Sequence, residues 1–321
     1  MIEDSYKRLD ELAEGFEPKL RARFMVTVRS VRDKISLSLV EALIAQGRIE
    51  DALAIAEAAA LGISGAMSAQ WNTHFLAAGT NTATFLADHL FVVVNFDQIN
   101  QGAVSAMASN KLDMVREFVA EQRLATQQAI LDGVRGGLNP REVARSFRGS
   151  IGLTQRQQAA VSNYRRLLQN SDSAALRRAL RDGRFDQTVL QAVRGQKDLT
   201  SKQIETMVQR YEQRYLRYRS EVIARTEALR AAQQGSHQMY IQAIDDNLLV
   251  EEDLERKWIP GRDARVRESH SLMRGQIRGL REPFVSGNGN RLLYPGDPAA
   301  PAEDSIQCRC GVTTRIRKKP A

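Results

Sequence analysis

The chain has 321 residues, more than one average domain, and can bury a core without help from disulfides or metal. It is 43% hydrophobic but only 6% aromatic, and Ala, Gln and Arg are abundant, which favours helices over a β-sandwich. The only two cysteines, Cys308 and Cys310, stand one residue apart and exclude a disulfide framework.

The formal charge of +8 is unevenly spread. Between Arg123 and Arg230 there are 21 Lys and Arg against 10 Asp and Glu, so the rest of the chain is slightly acidic. Of those cations only Lys197 and Lys202 are lysines, and guanidinium forks suit phosphates and carboxylates. A polyanionic partner is one explanation, and a helical bundle solvated by arginine is the other.

The opening MIEDSYKRLDELAEGFEPKL mixes both charge signs and lacks the apolar stretch of a secretory signal. No uninterrupted run approaches the roughly 18 to 20 apolar residues of a membrane span. The nearest, Ala52 to Ala66 and Leu90 to Phe96, are expected to be core segments. The expectation is a protein made and kept in a cytoplasm, with no membrane span.

In chain order, DSYKRLDELAEGF and SVRDKISLSLVEALIAQGRIEDALAIAEAAALG are helical, with breaks expected at Gly47 and between Gly62 and Gly65. From Thr80 to Asn100 the β-branched run fits either a strand or a buried segment, and we place a boundary there. Three helix starts follow, each an Asn or Thr with Glu or Gln three residues on: Asn139 with Glu142, Thr154 with Gln157 and Thr200 with Gln203. Pro140 supports the first.

The third opens the best-patterned helix, in which Ile204, Val208, Tyr211, Tyr215, Tyr218, Val222 and Leu229 recur at spacings of three and four. Such a stripe is a helix-packing or partner-docking seam. Arg225 interrupts it and needs an acidic partner, Glu227 or another. After Gly235, Trp258, the stretch RDARVRESHSLM and a series of Gly and Pro indicate a small domain.

The fold class expected is therefore mainly α: elongated helical N-terminal and middle regions with a long heptad-patterned helix, plus a small loop-rich α+β C-terminal domain. The partition is 1–100, a helical region; 101–235, arginine-rich and helical; and 236–321, with Cys-x-Cys and a basic tail.

Three segments, in order, resemble the phage head morphogenesis family, the minor head proteins similar to protein F of phage Mu. They are ILDGVRGGLNPREVARSFRGSIGLTQRQQAAVSNYRRLL, then IARTEALRAAQQG, then KWIPGRDARVRESHSLMRGQI continuing to YPGDP and CRC. The resemblance spans roughly Asn110 to Cys310. It implies a low-copy, non-enzymatic capsid component inside the head near the portal, assembled in the bacterial host cytoplasm, that influences DNA packaging or ejection. Implied partners are portal protein, capsid or scaffolding protein, and packaged double-stranded DNA, with several copies per head.

Candidate sites fall into three groups. Asp263 and His270, seven residues apart, share a helix face, and Cys308 and Cys310 share a strand face. Two thiolates and an imidazole suit Zn²⁺, with Asp263 or Asp297 as fourth ligand. Alternatively the cysteines are small buried hydrophobes and His270 bonds Asp263. The second group is Arg165, Arg166, Arg177, Arg178, Arg181 and Arg184, suited to DNA phosphates without base reading. The third is Arg225 with Glu227, read as a structural ion pair rather than a transferase site.

No Walker A loop, G-x-S-x-G, HExxH or dinucleotide fingerprint is present. The alternative to an assembly protein is a metal-dependent nuclease or hydrolase acting through the C-terminal Asp/His/Cys cluster.

Overall fold

The computed structural model describes residues 2–96, 100–261, 264 and 266–316. Helix dominates. The order is α1 (Ile2–Lys34), α2 (Leu37–Ala45), α3 (Ile49–Leu90), α4 (Gln101–Arg135), α5 (Pro140–Ser150), α6 (Gln155–Gln169), α7 (Asp186–Val193) and α8 (Ser201–Asp245). A small α+β region follows: β1 (Leu254–Ile259), α9 (Glu268–Ser271), β2 (Ile277–Arg278), β3 (Phe284–Val285), β4 (Arg291–Leu292), α10 (Ala302–Ser305) and β5 (Gly311–Ile316). The expected class, mainly α with a small mixed C-terminal region, is what the chain forms.

All three expected helix starts are present. Asn139 and Glu142 form a reciprocal capping box with Pro140 beside it, and Thr154 and Gln157 form another. Thr200 and Gln203 exchange the same pair of bonds, at 2.9 and 3.3 Å. Each box satisfies amides that the first helical turn leaves without partners.

Two breaks were placed differently by the sequence. Gly47 does end a helix, at φ +70°, but Gly62 and Gly65 do not. Burial of Leu53, Ala56, Ala60, Ile63 and Met67, all at 0% exposure, outweighs a glycine cost of about 1 kcal/mol. The boundary expected between Thr80 and Asn100 is a helix break only in its second half, since α3 runs on to Leu90 and α4 begins at Gln101. Thr80, Thr82 and Thr84 each return their hydroxyl to the carbonyl four residues back, so β-branched residues sit within the helix. Of the run Leu90 to Phe96, Val94 is buried but Phe91 and Val93 are 90% and 77% exposed, so it is not a core segment throughout.

Helix Ile49–His89 is long and apolar enough to cross a membrane by length and composition, its most apolar 18-residue window having mean hydropathy 1.5. Half of its most apolar window is buried inside the structure. The expectation of no span counted uninterrupted runs, which isolated polar residues in this helix break.

The chain forms two compact units, each drawn from separated stretches: Met1–Arg23, Met67–Lys111 and Glu221–Ala321 in one, Phe24–Ala66 and Leu112–Ser220 in the other. The division does not follow 1–100, 101–235 and 236–321, because α1, α3, α4 and α8 each supply residues to both units.

In the second unit, Arg32 ties α1 to the end of α5. Its Nε donates to the Ile151 carbonyl at 2.9 Å, Nη2 to those of Gly149 and Ile151, and Nη1 to Glu212 of α8 at 2.8 Å. These carbonyls are ones the α5 C-terminus cannot satisfy internally. Glu212 is buried, which pushes its pKa up, while Arg32 opposes that shift. Nearby Gln122 donates to the Ser150 carbonyl and accepts from the Gly152 amide at 2.7 Å.

In the first unit, α3 and α8 approach backbone to backbone at Gly235, where a Cβ would lie 2.3 Å from the Phe75 carbonyl oxygen. Ala228, Ala231, Ala232 and Ala243 of α8 are fully or almost fully buried, and Thr82 donates to Ser236 at 2.9 Å. The C-terminal strands form an antiparallel sheet, β2-β1-β5, beside a β3-β4 hairpin. Arg256, 2% exposed, binds the sheet to its loops by donating to the carbonyls of Gly279, Glu282 and Leu293.

Two outcomes follow from these contacts. Gly235→Ala is expected to destabilise by about 1–3 kcal/mol through overpacking, read as a lower thermal midpoint. Arg32→Ala is expected to cost about 3–5 kcal/mol, because Glu212 is left buried and unpaired. Arg32→Met combined with Glu212→Leu should recover most of that loss in urea unfolding, and failure to recover it would show that the bonds to the α5 carbonyls, rather than the ion pair, carry the effect.

Candidate functional site

The C-terminal region brings His270 to two cysteines that lie 38 and 40 residues further along the chain. The short helix α9 carries His270, and the extended stretch leading into β5 carries Cys308 and Cys310. The β1–β5 pairing from Leu254↔Ile316 to Ile259↔Gly311 sets where that stretch begins. Alternation along it turns both sulfurs to one side. The two Sγ atoms each lie 3.5 Å from His270 Nδ1.

All three side chains are buried, at 1% for His270 and 3% for each cysteine. Trp258 packs edge-on against the imidazole with ring centroids 5.6 Å apart, and it packs on Phe284 as well. Met273, Leu292 and Val312 complete the apolar shell. The donor atoms lie within 4.8 Å of one another, an arrangement that could hold a metal ion.

The other imidazole nitrogen, Nε2, is 3.2 Å from Asp304 Oδ1, close but off the line of a good hydrogen bond. Asp304 is fully buried and lies on α10. Its carboxylate accepts from Ser286 and Asn290, both at 2.8 Å, and from Ser269 at 3.2 Å. Burial raises its pKa, but the bonds from Asn290 and Ser286 and the neighbouring imidazole outweigh this and hold it below the ordinary carboxylate range. With a carboxylate at Nε2, the favoured neutral tautomer is protonated there, and the Nδ1 lone pair faces the sulfurs.

The hydrogen bond between the two thiols lowers the pKa of Cys310 and raises that of Cys308, and His270 adds to the lowering. The pair thus favours one thiolate in an apolar pocket, the form that nucleophiles and metal ligands share.

The sequence found three members of this cluster and missed the fourth. Asp263 lies outside the described residues. Asp297 is engaged elsewhere, accepting from the Leu293 and Ala299 amides at 2.7 and 2.9 Å. Asp304, in PAEDS, carries the ordinary signature of an acidic first helical turn, and that local explanation hides its role. Of the helix expected over RDARVRESHSLM, Glu268–Ser271 is the α-helical part among the described residues.

The arginine group is largely engaged internally. Arg165 pairs with Glu205 at 2.6 Å, Arg181 grips Asp186 with two bonds of 2.9 Å, and Arg184 pairs with Asp182 at 2.6 Å. Arg178 buries its Nε without a hydrogen-bond partner. Arg166 is exposed and donates to Asn163, and Arg177 is exposed. Arg135, Arg165 and Arg166 line a cleft of about 380 Å³.

The seam on α8 is buried at Ile204, Val208 and Tyr211, where Tyr211 packs on Tyr164 with centroids 4.3 Å apart. Tyr215 meets Tyr211 edge-on and is half-buried. Beyond it the inward face drifts to Leu216, Ser220 and Ala224, leaving Val222 half-buried and Tyr218 48% exposed, before Leu229 is buried again. A straight helix advances past a strict heptad, so the regular stripe could not stay inward for its whole length.

Arg225 and Glu227 do not pair with each other. Arg225 reaches Glu17 of α1 at 2.9 Å, and Glu227 binds Arg230 at 2.9 Å. Two positions apart on a helix point in different directions, so each found a partner on its own side.

These features define a mainly helical protein with a small C-terminal sheet built around a buried His, Cys, Cys and Asp cluster. Residues 173–313 match the family described as Phage Mu protein F like protein, which covers the second and third resembling segments and the whole cluster. The first segment, ending at Leu168, lies outside the match. No curated protein and no solved structure matches the chain.

Asp304→Ala is expected to destabilise the C-terminal region by about 1–3 kcal/mol, since the hydroxyls of Ser286 and Ser269 and the Asn290 amide lose a buried acceptor. Urea unfolding followed by tryptophan fluorescence checks this, and an unchanged midpoint would remove Asp304 from the supporting framework.

Proposed function

We propose that this chain is a minor head protein of a tailed phage that sits inside the capsid near the portal and assists procapsid assembly and DNA packaging or ejection. The match of residues 173–313 to the Phage Mu protein F like family carries this reading. Portal protein and capsid or scaffolding protein are the proposed partners, with several copies in each head.

The role is structural rather than catalytic. Burial of His270, Cys308 and Cys310 to 3% exposure or less suits a group that holds a fold together better than one that meets a substrate. The contact with packaged DNA is electrostatic and non-specific, and rests on the exposed Arg166 and Arg177 more than on Arg165, Arg181 and Arg184, whose charge is met by carboxylates. Portal docking uses surfaces other than Ile204, Val208 and Tyr211, because those side chains are consumed in the core.

Co-expression of the full chain with portal protein, followed by purification and mass determination, is expected to yield a complex of defined stoichiometry. A free chain that associates with neither portal nor capsid protein would overturn the proposal.

A further inference from the structure

We propose that His270, Cys308 and Cys310 bind one Zn²⁺ ion through Nδ1 and the two Sγ atoms, and that this ion fastens the entry of β5 to α9. The inference is independent of the head-assembly reading.

Distance is the first argument. A tetrahedral ion with Zn–S of about 2.3 Å and Zn–N of about 2.05 Å sets nitrogen and sulfur about 3.5 Å apart. Both observed Nδ1···Sγ separations are 3.5 Å. An ion between the three atoms uses the Nδ1 lone pair and a lone pair of each sulfur at once.

The chemistry of the donors is the second. Two sulfurs and an imidazole select a borderline-soft ion such as zinc over magnesium or calcium, which want oxygen. On binding, whatever proton the two sulfurs still carry passes to solvent and the metal takes a lone pair from each, with no change of oxidation state.

The third argument is the imidazole's support. Asp304 stands at Nε2 and is itself held by Ser286, Asn290 and Ser269, the arrangement by which a carboxylate orients a metal-bound histidine and makes it a better donor. The region gains from such a fastening, because β2, β3 and β4 are each two residues long.

The test uses untagged full-length protein, purified reduced and without chelator. The expected result is one zinc per chain by elemental analysis. After zinc is removed, added Co²⁺ should give ligand-field and thiolate charge-transfer absorption. Asp304→Asn should keep the site but weaken zinc affinity about 10- to 100-fold, and Cys310→Ser should abolish the charge-transfer band. If Cys310→Ser does not fold, the wild-type cobalt spectrum decides. Less than half an equivalent of zinc together with no cobalt bands, or a Cys308–Cys310 disulfide in the reduced preparation, would overturn the proposal.

Discussion

The close approach of α3 and α8 at Gly235 is the constraint on which much of the first unit depends. Only a hydrogen fits between the α8 backbone and the Phe75 carbonyl, so the helices meet along small residues and dispersion contacts run from main chain to main chain. That contact consumes one side of α8 and leaves the others to the C-terminal region. Leu229 enters the core that surrounds Trp258 and the cysteines, and Met239, Tyr240 and Ala243 join the core that holds Leu254 and Leu280. The small sheet is therefore built on a helix whose rotation a single glycine helps to set.

The C-terminal region shows how a small, loop-rich structure can still place side chains accurately. Its polar groups are tied mostly to main chain: Arg256 bonds three loop carbonyls, Asp297 caps a turn, and Thr226 of α8 accepts from the Gln307 amide just before Cys308. Each bond fixes a loop that has little regular structure of its own. The His270 and Asp304 pair is the most buried of these arrangements, and the two sulfurs complete it on the opposite side of the ring.

The basic middle of the chain behaves differently from what its composition suggests. Asp182 receives Arg184 and Arg214, and hydrogen bonding from Arg184 lowers its pKa to about 2. Arg32, Arg165 and Arg181 are likewise held by carboxylates within their unit. Arg165, between α6 and α8, and Arg214, between α8 and the turn at Asp182, serve as cross-links that a planar guanidinium makes better than a flexible ammonium. The net positive charge remains, but it is carried by fewer free side chains than a count implies.

The sequence by itself determined what depends on neighbours three or four residues away. The capping boxes at Asn139, Thr154 and Thr200, the turn at Gly47 and the helical class all follow from such local rules. The stripe is also legible near its start, from Ile204 to Tyr211, where few turns separate the residues and little drift accumulates. Only the tertiary structure decided the partner of Arg225, the passage of α3 through Gly62 and Gly65, and the place of Asp304, rather than Asp297, beside His270. Those outcomes depend on burial and on groups brought together across long separations, 38 residues between His270 and Cys308. No local pattern encodes such a meeting, because its free energy arises only when the distant strands and helices have already packed.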